Sequence, residues 1–376
     1  MKIKMSYRCF YAIMPIAAGM ILLVAVSCLQ KKEERLLPAD MRVGWNLGNT
    51  LDAHFSGNRN YIDLDQETFW GNPETTAKII AKVDDAGFDT IRIPVTWYEH
   101  MDSSFQIDAA WLDRVQQVVD FAIECNLYVI LNAHHDTWYT PSEENSGLAE
   151  TMICVVWKQI AERFAQYDDR LLFENMNEPR LIGTRYEWTQ GTPQARETVN
   201  KLNAAFVKTV RQASGGNSER YLILPTYGAS LETEALEAFQ LQKADKVIVS
   251  VHFYRPYWFA QEVGGDADKC KWNARTQENT LEIDRIFADL GRIFIDKGIP
   301  VIITEFGAID KGNEADRAAW AHYIVGKAKR QNIPCIWWDT GGKPENTESF
   351  FLMDRYSLTW QFPQIVKALT GKNVEK

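Results

Sequence analysis

The sequence is poor in histidine and cysteine and has no excess of positive charge. Each of those two residue types occurs 6 times in 376 residues, and the formal net charge is -9. Nucleic acid is excluded as a partner, because its phosphates demand clustered Lys and Arg on a basic surface. A neutral ligand suits the balance better. No two cysteines stand at C-x-x-C spacing and no H-E-x-x-H pattern holds the histidines, so neither a metal ion nor a cofactor is expected. Linkers and low-complexity segments are missing after Pro38. A composition of 46% hydrophobic and 24% charged residues excludes a disordered, collagenous or multi-span membrane chain. Tryptophan is abundant, with 13 in all. Flat indole faces suit either a packed core or the apolar faces of sugar rings, and the count alone favours core.

The first stretch is targeting rather than fold. Lys2, Lys4 and Arg8 precede an apolar run from Tyr11 to Val26, and small Ser27 stands before Cys28. Residues 1–27 read as a secretory signal. A retained membrane helix is the alternative, but spanning takes about 20 apolar residues, and this shorter run contains Pro15 and Gly19. The segment Leu23-Val24-Ala25-Val26-Ser27-Cys28 resembles a bacterial lipoprotein box, with Ala25 where Leu is commoner. Cys28 is then the lipidation site and residues 28–37 a polar tether. Lys32-Glu33-Glu34 resembles an export signal that places lipoproteins on the outer surface, although a solvated charge run explains it equally well. The expected location is the outer membrane or cell surface of a Gram-negative bacterium, with membrane contact through the anchor alone. Cys125, Cys154, Cys270 and Cys335 are expected as thiols, with one disulfide among them as the alternative. The helical patterns around Cys125 and Cys154 and the strand pattern around Cys335 suit buried small hydrophobes.

From residue 38 to 376 one rhythm prevails. Apolar runs of strand length alternate with helical patterns eight times. The strands are expected at Val43 to Leu47, Thr90 to Val95, Leu127 to Ala133, Leu171 to Asn177, Tyr221 to Pro225, Val247 to Phe253, Pro300 to Phe306 and Pro334 to Trp338. Near-continuous apolar runs such as Tyr128-Val129-Ile130-Leu131 suit strands buried on both faces of a parallel sheet. Between them, stripes such as Trp111, Val115, Val118, Val119 and Ala122 recur at helical spacing. Eight βα units in series predict a single α/β domain, a (β/α)8 TIM barrel, expected as a monomer.

In such a barrel the chemistry belongs at the C-terminal strand ends, and polar residues gather there. Asn49 and Asp52 follow strand one, and Arg92 lies in strand two. His134, His135 and Asp136 end strand three, Asn177 and Glu178 strand four, and His252 and Tyr254 strand six. Glu305 ends strand seven, and Trp338 and Asp339 end strand eight. Each has a bland alternative. Arg92 between Ile91 and Ile93 points into the barrel, either as a structural ion pair or as the support of a catalytic glutamate, and the two are compatible. His134 and His135 suit sugar hydroxyls better than a metal. Asp52, Asp136 and Asp339 are equally readable as loop caps.

Glu178 and Glu305 carry the argument. Two carboxyls facing each other across a barrel mouth are what glycosidic cleavage requires, one to protonate the leaving oxygen and one to attack the anomeric carbon. The motifs around them run along the whole barrel: Gly44-Trp45-Asn46-Leu47-Gly48-Asn49-Thr50-Leu51-Asp52, Trp70-Gly71-Asn72-Pro73, Arg92-Ile93-Pro94, and Asn132-Ala133-His134-His135-Asp136. They continue with Asn175-Met176-Asn177-Glu178-Pro179, Val251-His252-Phe253-Tyr254, Thr304-Glu305-Phe306-Gly307 and Trp337-Trp338-Asp339. The chain resembles glycoside hydrolase family 5, the retaining cellulase family of clan A, and most of all its subfamily 4. Thr340 stands where that pattern usually has Asn.

The resemblance implies that Glu178 is the acid/base and Glu305 the nucleophile. Asn177 binds the 2-hydroxyl, Tyr254 and Arg92 keep the nucleophile ionised, and Trp338 stacks under the sugar preceding the cleaved bond. His134, His135, His252, Asn49 and Asp52 line the subsites. The implied activity is endo-cleavage of β-1,4-glucosidic bonds in cellulose-like, mixed-linkage or xyloglucan chains. An endo-mannanase and a catalytically dead surface glycan-binding protein are the rivals. Because two ionised carboxyls so close together repel, Glu178 is expected to hold the shared proton.

Overall fold

Each expected apolar run forms a strand, because Val, Ile, Leu and Phe fill both faces of a sheet. The computed structural model describes residues 37–38, 40–55, 64–242, 244–263, 267–342 and 349–375, with the backbone alone at 267 and 268. The signal segment, Cys28 and the tether up to residue 36 lie outside the described residues. The strands are β1 Val43–Leu47, β2 Thr90–Ile93, β3 Tyr128–Asn132, β4 Leu171–Glu174, β5 Leu222–Pro225, β6 Val247–Phe253, β7 Val301–Phe306 and β8 Cys335–Asp339. They pair in parallel in sequence order, and β1 closes on β8 with Val43 opposite Cys335 and Leu47 opposite Asp339. The expected (β/α)8 barrel is what forms.

Two strands end two or more residues earlier than expected, for local reasons. β2 stops at Ile93 because Pro94 has no N–H to give to the ladder. After Glu174 the chain leaves β4, and Asn177 N donates to Ala133 O instead.

The outer layer contains α1 Ala77–Asp85, α2 Ala109–Glu124, α3 Ser146–Arg163, α4 Pro193–Gln212, α5 Thr233–Glu237, α6 Tyr257–Ala260, α7 Gln277–Ile293, α8 Glu314–Arg330 and α9 Pro363–Thr370. The sequence dictates their starts. Thr76 caps α1 by accepting from Ile79 N, Asp108 caps α2 by accepting from Trp111 N, and Thr192 caps α4 ahead of Pro193. The expected stripe of α2 from Trp111 to Ala122 is buried against the sheet. No described helix is long and apolar enough to cross a membrane.

Alternation sorts the strand side chains into two environments. Ile91, Ile93, Val129, Leu131 and Phe173 face outward into the core shared with the helices. Ile130, Leu172, Ile223, Ile248, Ile302 and Ile336 form a separate apolar plug inside the barrel. Beyond the plug the interior turns polar, with Asn46, Arg92, Glu174, Ser250 and Thr304 all fully buried. The strands approach closely at Gly44, where a Cβ would lie 2.7 Å from both Ile336 and the Thr90 carbonyl. Cys335 is buried as expected, whereas Cys125, the C-cap residue of α2, and Cys154, at the edge of the apolar stripe of α3, are only half-buried; all four described cysteines are free thiols.

Candidate active site

The polar layer is organised by one guanidinium. Arg92 donates from Nε to Glu174 Oε2 (2.6 Å) and from Nη1 to Glu305 Oε1 (2.7 Å) and Asn46 Oδ1 (2.9 Å). Its Nη2 donates to Asn177 Oδ1 at 2.7 Å. A charge with no exposure at all is tolerated only because every face of it meets an oxygen. The last bond fixes a flip: with Oδ1 taken by Arg92, Asn177 has its NH2 left to donate elsewhere. Glu174 is held in turn by Ser250 Oγ (2.9 Å) and Asn132 Nδ2 (3.2 Å).

Above this layer stand the two glutamates. Glu305 accepts from Arg92 on Oε1 and from the Tyr254 hydroxyl on Oε2 at 2.9 Å. Glu178 Oε1 lies 2.8 Å from His252 Nδ1, which is also 3.4 Å from Glu305 Oε2. One oxygen of each carboxyl and a His252 nitrogen lie within 4.8 Å of one another. A break in sheet register makes this possible. Between Val251 and His252 the β6 pairing with β7 slips, bringing His252 opposite Glu305, and such irregularities re-aim side chains near functional sites.

The charges of the three groups are linked. Burial pushes the Glu178 carboxyl up, but donation from His252 and the charges of His252 and Arg180 outweigh it, and the net direction is down. Burial alone would lower His252; the Glu305 charge and the Glu178 bond reverse this and raise it. Burial pushes Glu305 up, against the pull of His252 and Arg92, and the net direction is up. The two partners of the 2.8 Å bond thus shift in opposite directions, Glu178 down and His252 up, each because of the other, an effect that the expectation of a proton on Glu178 did not include. The cause is His252 itself, a partner whose basicity the sequence did not reveal. Tyr254 stays a neutral donor, raised well above the ordinary tyrosine range by burial and then by Glu305.

The remaining expected residues divide into two groups. His134 is buried and stacked on Trp338 with ring centroids 5.4 Å apart and planes 5° off parallel. Asn132 Oδ1 accepts from Val95 N, so Asn132 Nδ2 donates to His134 Nδ1 (3.1 Å), and the His134 proton sits on Nε2, 3.9 Å from Glu305. His135 stands beside His54 and Trp70 at centroid distances of 5.1 and 5.6 Å, pushed down to about 3 by burial and then by His54. Asn49 adopts φ 57° and is half-buried at the rim.

Asp52 belongs to the second group, and the expectation that it lines a subsite needs correction. It is fully buried, both oxygens accept backbone N–H groups (Asn49 at 3.1 Å, Thr50 at 2.7 Å), and it lies 3.7 Å from His135. It shapes the loop and backs His135. Asp136 and Asp339 are likewise caps. Asp136 accepts from Trp97 N and Tyr98 N, and Asp339 from Trp45 Nε1, Gly341 N, Leu352 N and Met353 N. Asp52, His134 and His135 bring one ligand-type atom each within 4.8 Å. Of that group, the Asp52 oxygens already accept from Asn49 N and Thr50 N, and His134 Nδ1 is bonded to Asn132.

Glu174, Asn46, Trp70 and Arg180 are site residues that sequence reasoning did not single out. Glu174 carried a signal: an ionisable residue at the end of Leu-Leu-Phe in β4, inward by the same alternation that picked out Arg92. Arg180 reaches back to Glu178 Oε2 at 3.4 Å, which only the loop's path reveals.

The model of the family described as "Cellulase (glycosyl hydrolase family 5)" matches residues 56–344. Endoglucanase A of Clostridium longisporum is 42% identical over 88% of this chain and 64% of its own length. Cellulase/esterase CelE of Acetivibrio thermocellus is 41% identical over 90% of this chain and 40% of its own. The chain thus spans less than two thirds of either relative. A solved broad-specificity GH5-4 endoglucanase of Ruminococcus champanellensis with bound cellotriose superimposes with a TM-score of 0.84 at 39% identity, over 90% of this chain and 99% of that one. The barrel, the paired glutamates, one just after β4 and one on β7, and these matches lead to one conclusion: the chain belongs to glycosyl hydrolase family 5, the cellulase family, and is most similar within it to subfamily 4.

Proposed function

We propose that the protein is a retaining endo-β-1,4-glucanase acting on cellulose-like, mixed-linkage or xyloglucan chains. The observation that carries this reading is the approach of Glu178 and Glu305, whose nearest oxygens are within 4.8 Å. Retaining enzymes hold their carboxyls about 5 to 5.5 Å apart, whereas inverting ones leave roughly 6.5 to 9.5 Å for a water.

In the first step Glu305 attacks the anomeric carbon, the glycosidic C–O bond breaks, and the leaving oxygen takes a proton from Glu178. Glu178 is supplied across its 2.8 Å bond to His252, so the pair acts as one acid. In the second step water attacks the anomeric carbon, its proton passes to Glu178, and the bond to Glu305 breaks. Arg92 and Tyr254 hold the nucleophile from two sides. The NH2 of Asn177, freed by Arg92, donates to the 2-hydroxyl, a bond that strengthens in the transition state. His134 offers Nε2–H toward the same sugar, and the part of Trp338 left open forms its floor.

The protein is also read as a lipoprotein anchored through Cys28 at the cell surface, and as a monomer. The functional test is hydrolysis of carboxymethylcellulose, barley β-glucan, xyloglucan and glucomannan in parallel, with product sizes and NMR of the first anomer formed. Internal cleavage of at least one glucan with β-anomer first is expected. Cleavage of mannan linkages alone, or no reducing sugar from any of the four, would replace this reading with the mannanase or the inactive binder.

A further inference from the structure

The loop that follows β4 carries a second charge set directly behind the acid/base. Arg180 Nη1 lies 3.2 Å from the Glu178 carbonyl and 3.4 Å from Glu178 Oε2, and Arg180 Nε donates to Glu187 Oε1 at 3.1 Å. The Arg180 guanidinium lies over the Trp188 ring at 4.1 Å. Glu187 uses its other oxygen to accept from Gly183 N at 2.8 Å. All three ionised side chains are about four-fifths buried, with exposures of 21% for Arg180, 17% for Glu178 and 19% for Glu187, so their charges are only partly screened. The loop itself is fixed from below. The Tyr227 hydroxyl accepts from Leu181 N and donates to Tyr186 O, each at 2.9 Å, and Gly228 N donates to Pro179 O at 2.8 Å. These bonds hold Arg180 at one distance from Glu178.

On the reading of Glu178 as acid/base given above, we infer that Arg180 is a positioning residue that sets the proton affinity of Glu178, and that Glu187 tempers it by sharing the same guanidinium. An acid/base must give up a proton in one half-reaction and take one in the next, so its affinity has to lie near the working pH. A lone cation against Oε2 would make Glu178 too weak a base. A second carboxylate on the far side of that cation restores part of the affinity. Trp188 keeps the guanidinium in plane between the two.

Other groups facing Glu178 leave room for this effect. His252 on β6 holds Oε1 and shares the proton. Glu305 on β7 raises the affinity, and Arg92 on β2 is occupied by Glu174 and Glu305. His135 after β3 is neutral, as are Tyr254 and Tyr139, both held well above the ordinary tyrosine range by burial. Arg180 is thus the cation on Oε2.

The test is the pH profile of kcat/KM for the full chain on barley β-glucan. Its alkaline limb reports loss of the proton shared by Glu178 and His252. Arg180→Met should move that limb up by about one pH unit, as expected for removing an opposite charge in contact. Glu187→Gln, which keeps the bond to Gly183, should move it down by about half a unit. The double variant should return close to wild type, and Arg180→Lys should keep the limb in place even if kcat falls. With 2,4-dinitrophenyl β-cellobioside, whose leaving group needs no proton, that limb should be absent from kcat/KM in wild type and in every one of these variants. Shifts of the same sign for Arg180→Met and Glu187→Gln, or no shift while kcat falls, would overturn the inference and leave Arg180 a structural residue. Failure of the functional reading is a separate result: the wild type would not cleave the glucan, or Glu178→Gln would cleave it as fast as wild type.

Discussion

Arg92 reaches four side chains with one guanidinium, and each contact fixes a different part of the chemistry: the charge on Glu305, the amide orientation of Asn177, and the interior anchors Glu174 and Asn46. Replacing it by Met leaves two buried carboxylates without their cation, which costs about 3 to 5 kcal/mol. Arg92→Met should therefore unfold at clearly lower denaturant than wild type, and an unchanged midpoint would show that Glu174 and Glu305 find another partner. Glu178→Gln is expected to lose about 10²- to 10⁴-fold in polysaccharide turnover. It should still form the glycosyl-enzyme from an activated aryl cellobioside, and azide should speed its breakdown to a β-azide; an α-azide would reverse the two glutamate roles. At this scale the sequence was most informative where a charge interrupts an apolar run. Arg92 between Ile91 and Ile93 had to point inward, and Glu178 and Glu305 had to stand at strand ends. His252 as the partner of Glu178 was not legible, because its basicity depends on two carboxylates brought in from the loop after β4 and from β7.

Strands and loops divide the work between placing groups and holding them. The β6 slip after Val251 puts His252 against Glu305, and no pattern in Val-Ile-Val-Ser-Val-His-Phe announces such a slip, since periodicity reports facing but not register. The caps are the opposite case. Asp52, Asp136 and Asp339 were readable as loop caps from their places just past strands, and all three gather backbone N–H groups. Asp339 ties β1 to the loop after β8 and to the short pair β9 Met353–Asp354 and β10 Thr359–Trp360, with Arg355 beside it at 3.5 Å. Asp339→Ala removes the acceptor of four N–H groups and leaves Arg355 buried without its carboxylate. A loss of about 3 kcal/mol or more is expected, read as a lower denaturation midpoint. If stability held while activity fell, Asp339 would have to act on substrate directly.

For the molecule as a whole, eight repeats of one apolar rhythm were enough to specify a closed barrel, because only closure leaves no strand edge unpaired. The family resemblance and the barrel both placed the chemistry on one face, and the two glutamates meet there. The N-terminal segment makes its own demand: if Cys28 carries lipid, the protein partitions with membranes and Cys28→Ala releases it to the soluble fraction, whereas soluble wild type with an intact N-terminus would remove the anchor from the account. The central claim is that Glu305 becomes covalently joined to sugar. Treatment with 2,4-dinitrophenyl 2-deoxy-2-fluoro-β-cellobioside, followed by mass spectrometry of the digested protein, should find one fluorocellobiosyl group on the peptide containing Glu305. Attachment to Glu178, or unhindered turnover with no adduct on any carboxylate, would contradict it.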